Sequence, residues 1–201
     1  MKVLLLDAFD SFIYTIEQYY KDIGCNTRVI RVSDNPIDEC DNWKPDLLVL
    51  GPGPGSPNEH GYNKIIDNIS NEQAIFGVCL GLQAIGEYFN FDLEIAPSIE
   101  HGKYSEIFHD QNGIFLNLDN PIKVVRYHSL IIKDNKNSDE MIITACEKDN
   151  YLIMGLRHKT RPIEAVQFHP ESIGTKSGHK MIENSLKLVN KKRSKKNEKF
   201  D

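Results

Sequence analysis

Residues 74–83 read Ala-Ile-Phe-Gly-Val-Cys-Leu-Gly-Leu-Gln, an apolar run that ends at a cysteine flanked by glycines. Residues 74–78 have the length and composition of a buried strand, and the residues after Cys79 are typical of a helix. Gly77 and Gly81 lie two residues to either side of Cys79 and leave room for the backbone to fold back on itself. The stretch therefore predicts a strand, a tight turn and a helix, the form of a nucleophile elbow. The alternative is a buried structural cysteine at the end of a strand.

The first half of the chain alternates apolar, β-rich runs with polar-patterned segments long enough for helices. The runs lie at 2–7, 27–32, 46–50 and 74–78. This alternation predicts parallel βαβ units. The first helix is expected to begin near Ser11, which could cap it, and to end at Gly24, with apolar residues at helical spacing: Ile13, Ile16, Tyr20 and Ile23.

The second half has apolar runs that come closer together, with turn residues between them. They lie at 103–108, 122–127, 141–146, 151–157 and 163–168. These runs predict antiparallel strands added to the sheet. A final helix is expected from Lys176 to Val189, with Met181, Leu186 and Val189 toward the core. The predicted fold is three-layer α/β: an open, mostly parallel, flavodoxin-like sheet with flanking helices and an added antiparallel region.

Composition predicts one enzyme-sized domain at 1–190, since the chain has 201 residues and 40% hydrophobic content. Residues 191–201 carry almost no apolar side chains and are expected to form a disordered basic tail. The net charge of −5 is mild. Outside the tail, the lysines and arginines are scattered along the sequence, which argues against nucleic-acid binding. The absence of a signal-peptide pattern and of a long apolar run predicts a cytoplasmic protein that does not bind membranes. The four cysteines show neither C-x-x-C pairs nor metal-like spacing with histidine, so we expect no disulfide framework and no metal.

Three loops that follow predicted strands stand out by composition. They are Gly51–Pro57, Gly77–Gly81 and His169–Ser172. In an open parallel sheet, the loops that leave the carboxyl ends of the strands converge on one edge and form the ligand crevice. We therefore expect the chemistry of this protein at that edge.

His169 follows an apolar strand directly and is the candidate base for Cys79. Pro170 restricts the backbone around it, so the imidazole is presented from stiff chain. Glu171 can orient the ring and stabilise imidazolium, which is the task of the third member of a nucleophile triad. The alternative for His169 is a structural role at a capped strand end, and the alternative for Glu171 is a carboxylate exposed to solvent.

Acyl transfer also requires donors for the oxyanion that forms when sulfur attacks a carbonyl. Glycines at Gly53 and Gly55 let the backbone approach a substrate, and Pro54 stiffens the loop, so the Gly55 N–H could face the sulfur. The Leu80 N–H, directly after Cys79, is the natural second donor. A phosphate-binding loop is the rival interpretation, but no Lys-Ser or Lys-Thr follows and the prolines remove donors.

With these residues assembled, the sequence resembles the class I, triad-type glutamine amidotransferases, and within them the small subunits of anthranilate synthase and aminodeoxychorismate synthase. The resemblance covers about residues 1–190. It rests on Asp7–Phe12, Gly53–Pro57, Gly77–Gln83, His101–Lys103, Arg126–Leu130 and Gln167–Ser172. The family's opening motif commonly reads Asp-Asn-Tyr/Phe-Asp-Ser-Phe, whereas Ala8 stands second here, and Leu82 stands where histidine is frequent. We expect altered local contacts at these two positions and the same mechanism.

The resemblance implies that Cys79 is the nucleophile, that His169 and Glu171 complete the triad, and that the Gly53–Gly55 segment and Leu80 surround the oxyanion. It also implies that glutamine is held by Gln83, Ser129 and Leu130. The side-chain amide of Gln83 offers both a donor and an acceptor to the α-ammonium and α-carboxylate groups of glutamine.

The expected activity is hydrolysis of L-glutamine to supply ammonia, with no cofactor. By resemblance, the partner is a chorismate-binding synthase subunit that makes anthranilate or 4-amino-4-deoxychorismate. The alternatives are a non-catalytic subunit of the same fold and a cysteine hydrolase that acts on another amide.

Overall fold

The computed structural model describes residues 1–190, without the side chains of residues 99 and 100. In this part of the chain, helices and strands follow in the order β1 Lys2–Asp7, α1 Ile13–Asp22, β2 Asn26–Arg31, α2 Pro36–Trp43, β3 Leu47–Leu50, α3 Tyr62–Asn68, β4 Ala74–Val78, α4 Leu80–Tyr88, β5 Asp92–His109, β6 Ile122–Lys133, β7 Met141–Glu147, β8 Ile153–His158, β9 Ile163–Val166 and α5 Gly178–Ser185. Short 3₁₀ turns lie at Pro57–His60 and Gly113–Phe115.

The strands form one sheet in the order β2-β1-β3-β4-β9-β8-β7-β5-β6. The first five are parallel, which is the flavodoxin-like order, and each later pair is antiparallel. The predicted fold class is confirmed. The carboxyl ends of β1, β3, β4 and β9 therefore meet at one edge.

The inner parallel strands β1, β3, β4 and β9 are buried on both faces, which explains why they are mostly apolar, whereas the edge strand β2 is partly exposed. On β1, Leu5 packs with α1 and α5, whereas Leu4 packs on the opposite face with α3 and α4. Successive side chains of a strand point to opposite faces, so one apolar strand contributes to both cores. This arrangement is the three-layer architecture.

Two strand predictions were incomplete. The run at 163–168 was expected to be an antiparallel strand, but β9 pairs in parallel with β4 and antiparallel only with β8. β5 begins at Asp92, well before the predicted 103, because its first residues pair with the far end of β6. The residues 92–102 include charged side chains and a proline, so they lack the apolar pattern of a buried strand.

Two helix predictions also need correction. Ser11 does not cap α1, because the N-cap is Phe12, and the side chain of Asp10 accepts the Phe12 N–H at 2.9 Å. The predicted stop at Gly24 is confirmed, and this glycine has a φ of 78°. The final α-helix begins at Gly178, two residues later than predicted, and α5 ends at Ser185; after a turn at Leu186 the backbone is helical again over residues 187–190, so the predicted end at Val189 is confirmed.

Gly81 marks the closest approach between α4 and the sheet, since a Cβ there would collide with the backbone of Leu50 in β3. We expect Gly81→Ala to lower the free energy of unfolding by about 2–3 kcal/mol, because backbone within a sheet cannot move aside cheaply. Urea denaturation followed by circular dichroism measures this loss. Gly24→Ala is the matched control: it has open space around the site and carries only the strain of a positive φ, about 1–2 kcal/mol. A smaller loss for Gly81→Ala than for Gly24→Ala would contradict the packing argument.

The division into a domain at 1–190 and a tail at 191–201 stays a prediction, and the tail lies outside the described residues. Among the helices of residues 1–190, none combines the length and the apolar character needed to cross a membrane.

Candidate active site

Cys79 occupies the sharp turn between β4 and α4, with φ 53° and ψ −101°. A positive φ on a residue with a side chain costs about 1–3 kcal/mol, so the surrounding structure must hold it in place. The Cys79 N–H donates to the carbonyl of Val166 in β9 at 2.8 Å. A Cβ on Gly77 would lie 2.8 Å from the backbone of Gly81. Both glycines are therefore needed for the turn, as the sequence predicted.

His169 lies three residues after the end of β9 and is held by its backbone on both sides. Its N–H donates to the carbonyl of Val125 in β6 at 3.1 Å. The Thr175 hydroxyl donates to the His169 carbonyl at 2.8 Å and accepts the Val125 N–H at 3.1 Å. The imidazole is thus presented from a segment that β6 and Thr175 fix in place.

Glu171 accepts a hydrogen bond from His169 Nδ1 at 2.5 Å, and 3% of the His169 side chain and none of the Glu171 side chain is exposed. Because the carboxylate binds Nδ1–H, the other ring nitrogen, Nε2, is the one available for chemistry. His169 Nε2 is buried and makes no hydrogen bond to a nitrogen or oxygen atom of the described residues. The pair therefore has the geometry of an oriented base.

The electrostatics of His169 link it to the cysteine. Burial lowers the pKa of the ring, but the negative charges at Cys79 and Glu171 and their hydrogen bonds outweigh it, and the net pKa is raised well above its ordinary value. Charge effects of this size need short distances. The sulfur and the imidazole are therefore neighbours, and the site favours the protonated ring of His169.

The loop after β3 reaches the elbow. A Cβ on Gly53 would lie 2.6 Å from the Ala8 Cβ and 2.9 Å from a methyl group of Leu80, so the loop packs on the start of α4. Ala8, the departure from the family motif, lies buried beneath it. Gly55 has a φ of 73°. The loop thus brings backbone close to the cysteine, as an oxyanion site requires.

Two residues beyond the loop stiffen it. The Glu59 carboxylate accepts the backbone N–H of Ser56 at 3.1 Å and its hydroxyl at 2.8 Å. His60 Nε2 donates to the carbonyl of Pro54 at 2.7 Å. Donors held in advance cost no reorganisation when charge develops on a substrate oxygen.

The residues predicted to hold glutamine lie together, but two of them, Gln83 and Leu130, are hydrogen-bonded to each other. Gln83 is buried, and its amide N–H₂ donates to the carbonyl of Leu130 in β6 at 3.0 Å. The same carbonyl also accepts from His128 Nδ1 at 3.0 Å. The amide donor of Gln83 and the carbonyl of Leu130 are therefore hydrogen-bonded within the protein. Ser129, which lies between His128 and Leu130 in β6, is exposed.

Sequence reasoning assigned no role to three residues at the centre of the site. Gln167 is fully buried, and its side-chain Nε2 lies 3.6 Å from the Cys79 sulfur. The rings of Phe12 and Tyr127 meet the His169 ring edge-on, with centroids 5.8 and 5.3 Å away. All three residues belong to the stretches that carry the family resemblance, which was the available signal.

Among residues 1–190, no cluster of three or more His, Cys, Asp or Glu side chains could hold a metal ion. The cysteines are free.

Comparison with known proteins gives one family. The model of the class I glutamine amidotransferase family matches residues 4–189. Anthranilate synthase component 2 of Cyanophora paradoxa is 42% identical over 94% of this chain and 100% of its own length. The aminodeoxychorismate/anthranilate synthase component 2 of Bacillus subtilis is 42% identical over 94% and 97%.

The fold is matched by a solved structure from Thermoplasma acidophilum, described as a GMP synthase subunit. Its TM-score is 0.85 at 25% identity, and the match covers 98% of each chain. The sequence match spans nearly the whole chain and includes the elbow, the glycine loop and the histidine segment, which the fold brings to one edge of the sheet. The chain belongs to the class I glutamine amidotransferases.

Proposed function

We propose that this protein hydrolyses L-glutamine and supplies the ammonia to a chorismate-converting synthase subunit. The observation that carries the proposal is the strained, buried Cys79 next to His169, whose ring is oriented by Glu171 at 2.5 Å. A nucleophile, a base and an orienting carboxylate in this order form the unit that cleaves amides through a covalent intermediate.

In the first half-reaction, the Cys79 thiolate attacks the side-chain amide carbon of glutamine. The carbon–nitrogen bond breaks, and the proton on His169 Nε2 passes to the leaving nitrogen, so that ammonia departs. A γ-glutamyl thioester remains on the sulfur. The raised pKa of His169 supports this step, because the ring must carry a proton when the amine leaves.

In the second half-reaction, neutral His169 takes a proton from water, and the resulting hydroxide attacks the thioester carbon. The carbon–sulfur bond breaks, glutamate leaves, and the thiolate beside imidazolium is restored. In both steps negative charge develops on the substrate oxygen. We assign its stabilisation to the N–H groups of Gly55 and Leu80, with Gly53 and Pro54 shaping the loop.

Glutamine also carries an α-ammonium and an α-carboxylate, which need partners away from the sulfur. We assign these contacts to Gln83, Ser129 and Leu130. Because Gln83 donates to the Leu130 carbonyl, part of its role in this proposal is to hold the segment of β6 that faces the substrate. The exposed Ser129 is the member of the set with a side chain open to a ligand.

The partner is inferred from the chemistry and from the relatives. Ammonia that reaches bulk water is protonated and loses its nucleophilic lone pair, so an acceptor enzyme must take it up directly. The relatives named component 2 support a chorismate-converting synthase, and the name of the Bacillus subtilis protein supports service to both products. The cytoplasmic location expected from the sequence belongs to the same proposal.

Exposed apolar side chains near the site support a partner on this face. Ile173, two residues after Glu171, is 98% exposed, and Tyr104 nearby is 65% exposed. A Cβ on Gly174, the residue after Ile173, would lie 2.8 Å from the Tyr104 hydroxyl, so the two protrusions are adjacent. Large exposed apolar groups beside a polar rim are typical of protein interfaces.

The test is reconstitution with purified synthase subunits. The protein is mixed with the large subunit of anthranilate synthase or of aminodeoxychorismate synthase, and chorismate and glutamine are added. We expect glutamine-dependent formation of anthranilate, 4-amino-4-deoxychorismate or both, with one glutamate released per product. Failure of both mixtures, with large subunits that are active on ammonium, would contradict the proposal.

A further inference from the structure

Gln167 connects the end of β9 to the Cys79 sulfur. The residue is fully buried, and its backbone N–H donates to the carbonyl of Met154 in β8 at 3.0 Å. Its side-chain Nε2 lies within hydrogen-bond reach of Cys79 Sγ, at 3.6 Å. Hydrogen bonds to sulfur are longer than those to oxygen, because sulfur is the larger atom. The sulfur therefore has a neutral donor in addition to the imidazole of His169.

A chain of hydrogen bonds fixes which end of the Gln167 amide faces the sulfur. The Leu130 carbonyl can only accept, so the Gln83 atom 3.0 Å from it must be the N–H₂ group. That same N–H₂ group lies 3.3 Å from the Gln167 amide and can only donate to it, so the Gln167 atom there is the oxygen. The Gln167 N–H₂ group must then point to Cys79. The orientation of both amides thus follows from which of their neighbours can donate and which can accept.

We propose that Gln167 is a positioning residue that holds the Cys79 sulfur for attack, and that Gln83 and Leu130 orient it. This inference rests on the proposed glutaminase function. Hydrogen bonds to a charged acceptor are about twice as strong as neutral ones. The Gln167 donor therefore stabilises the thiolate more than the thiol or the thioester, and it restricts the side-chain rotation of the nucleophile.

This chain of hydrogen bonds, which we call the amide relay, also connects the sulfur to the segment of β6 assigned to glutamine binding. Leu130 lies at one end of the chain of hydrogen bonds and Cys79 at the other, with Gln83 and Gln167 between them. A substrate that shifts the Leu130 carbonyl changes how firmly Gln83 holds the Gln167 oxygen.

The rate of Cys79 alkylation by iodoacetamide tests this inference in the full chain, without glutamine or partner. Labelling is quantified by mass spectrometry of the Cys79 peptide, with Cys79→Ala defining the background. We expect Gln167→Leu to slow labelling at pH 7 by about tenfold, the loss that one charge-assisted hydrogen bond of about 1.4 kcal/mol implies. Gln73→Leu is the matched control, since Gln73 is also buried and donates its amide to the carbonyls of Asp46 and Ala74 at the opposite end of β4. The control should label at the wild-type rate.

A second variant provides a signature that a merely structural role would not produce. Gln167→Glu keeps the shape of the side chain, donates to sulfur when protonated and repels thiolate when ionised. We expect its labelling rate, divided by that of the wild type, to fall as pH rises through the titration of the new carboxyl group. This variant decides the question if Gln167→Leu does not fold.

Two results would overturn the inference: wild-type labelling in folded Gln167→Leu, or a ratio for Gln167→Glu that does not change with pH. Because alkylation needs no substrate, these results are independent of the reconstitution experiment. A wild-type complex that hydrolyses glutamine while the Gln167 variants label normally would retain the proposed function and reject the positioning role. Reduced labelling of the Gln167 variants, in a chain that never hydrolyses glutamine, would support the positioning role and reject the proposed function.

Discussion

Replacing Cys79 with alanine is expected to abolish glutamine-dependent product formation in the reconstituted complex, lowering kcat by more than about a thousandfold. The reason is that no other group in the site can form the thioester that splits amide hydrolysis into two easier steps. Product formation from added ammonium should continue at the wild-type rate, because that chemistry belongs to the synthase subunit. The measurement is the initial rate of product formation with each nitrogen source.

Cys40→Ala is the control for this substitution, since Cys40 is a free, partly buried cysteine of α2. It should leave both rates unchanged. Full glutamine-dependent activity in Cys79→Ala would end the proposal and favour a non-catalytic subunit or a different nucleophile. Loss of the ammonium-dependent rate as well would show that the subunit has a further role in the complex.

Glu171→Gln is expected to lower kcat/KM for glutamine by about a hundredfold or more, because the amide that replaces the carboxylate orients the ring without stabilising imidazolium. It should also move the alkaline limb of the pH profile to lower pH. Glu171 is one of the two negative groups that raise the pKa of His169 against the effect of burial. A group with a raised pKa keeps its proton at pH values below that pKa and loses it as pH rises through it. Removing the charge of Glu171 lowers the pKa, so the protonated, active form is lost at lower pH.

The profile of kcat/KM against pH in the complex measures this shift and reports the coupled cysteine–histidine pair. Glu183→Gln removes an exposed carboxylate of α5 whose partner is Lys180, 2.7 Å away, and should change neither limb. An alkaline limb that stays in place, or moves upward, in Glu171→Gln would contradict the role given to the carboxylate.

The elbow was predictable because its requirements are local. A strand of apolar residues, a reactive side chain and two glycines at fixed offsets already specify a turn in which the backbone returns on itself. In the structure the strand is Ala74–Val78, as predicted, and Gly77 and Gly81 face backbone that leaves no room for a side chain. The first helix was predicted from the spacing of its apolar residues for the same reason. Its cap was assigned to Ser11, whereas the N-cap is Phe12, whose N–H donates to the Asp10 side chain.

The pairing of β9 was not predictable from its own residues. The four residues of this strand, Ile-Glu-Ala-Val, fit either a parallel or an antiparallel neighbour, and here the strand has one of each. This double pairing puts the end of β9 next to β4. It is the reason that the segment from Gln167 to His169 reaches Cys79 at all.

The amide relay illustrates a second limit. From sequence, Gln83 was interpreted as a residue that binds glutamine, and Gln167 only as part of a motif. Their hydrogen bonds to each other, to Leu130 and to Cys79 join residues 47, 84 and 88 positions apart in the chain. Nothing in the local pattern of any one segment encodes such contacts.

The sequence by itself determined which residue types were present for the chemistry, which runs form the first four strands, and that the chain turns sharply at Cys79. These properties follow from composition and from interactions within a few residues. The tertiary structure alone decided that the imidazole of His169 and the amide of Gln167 lie at the sulfur, and that the Gln83 donor is engaged with Leu130. The physical reason is that these contacts depend on how β4, β9 and β6 are placed in the sheet, and strand placement is set by the packing of the whole core rather than by any single segment.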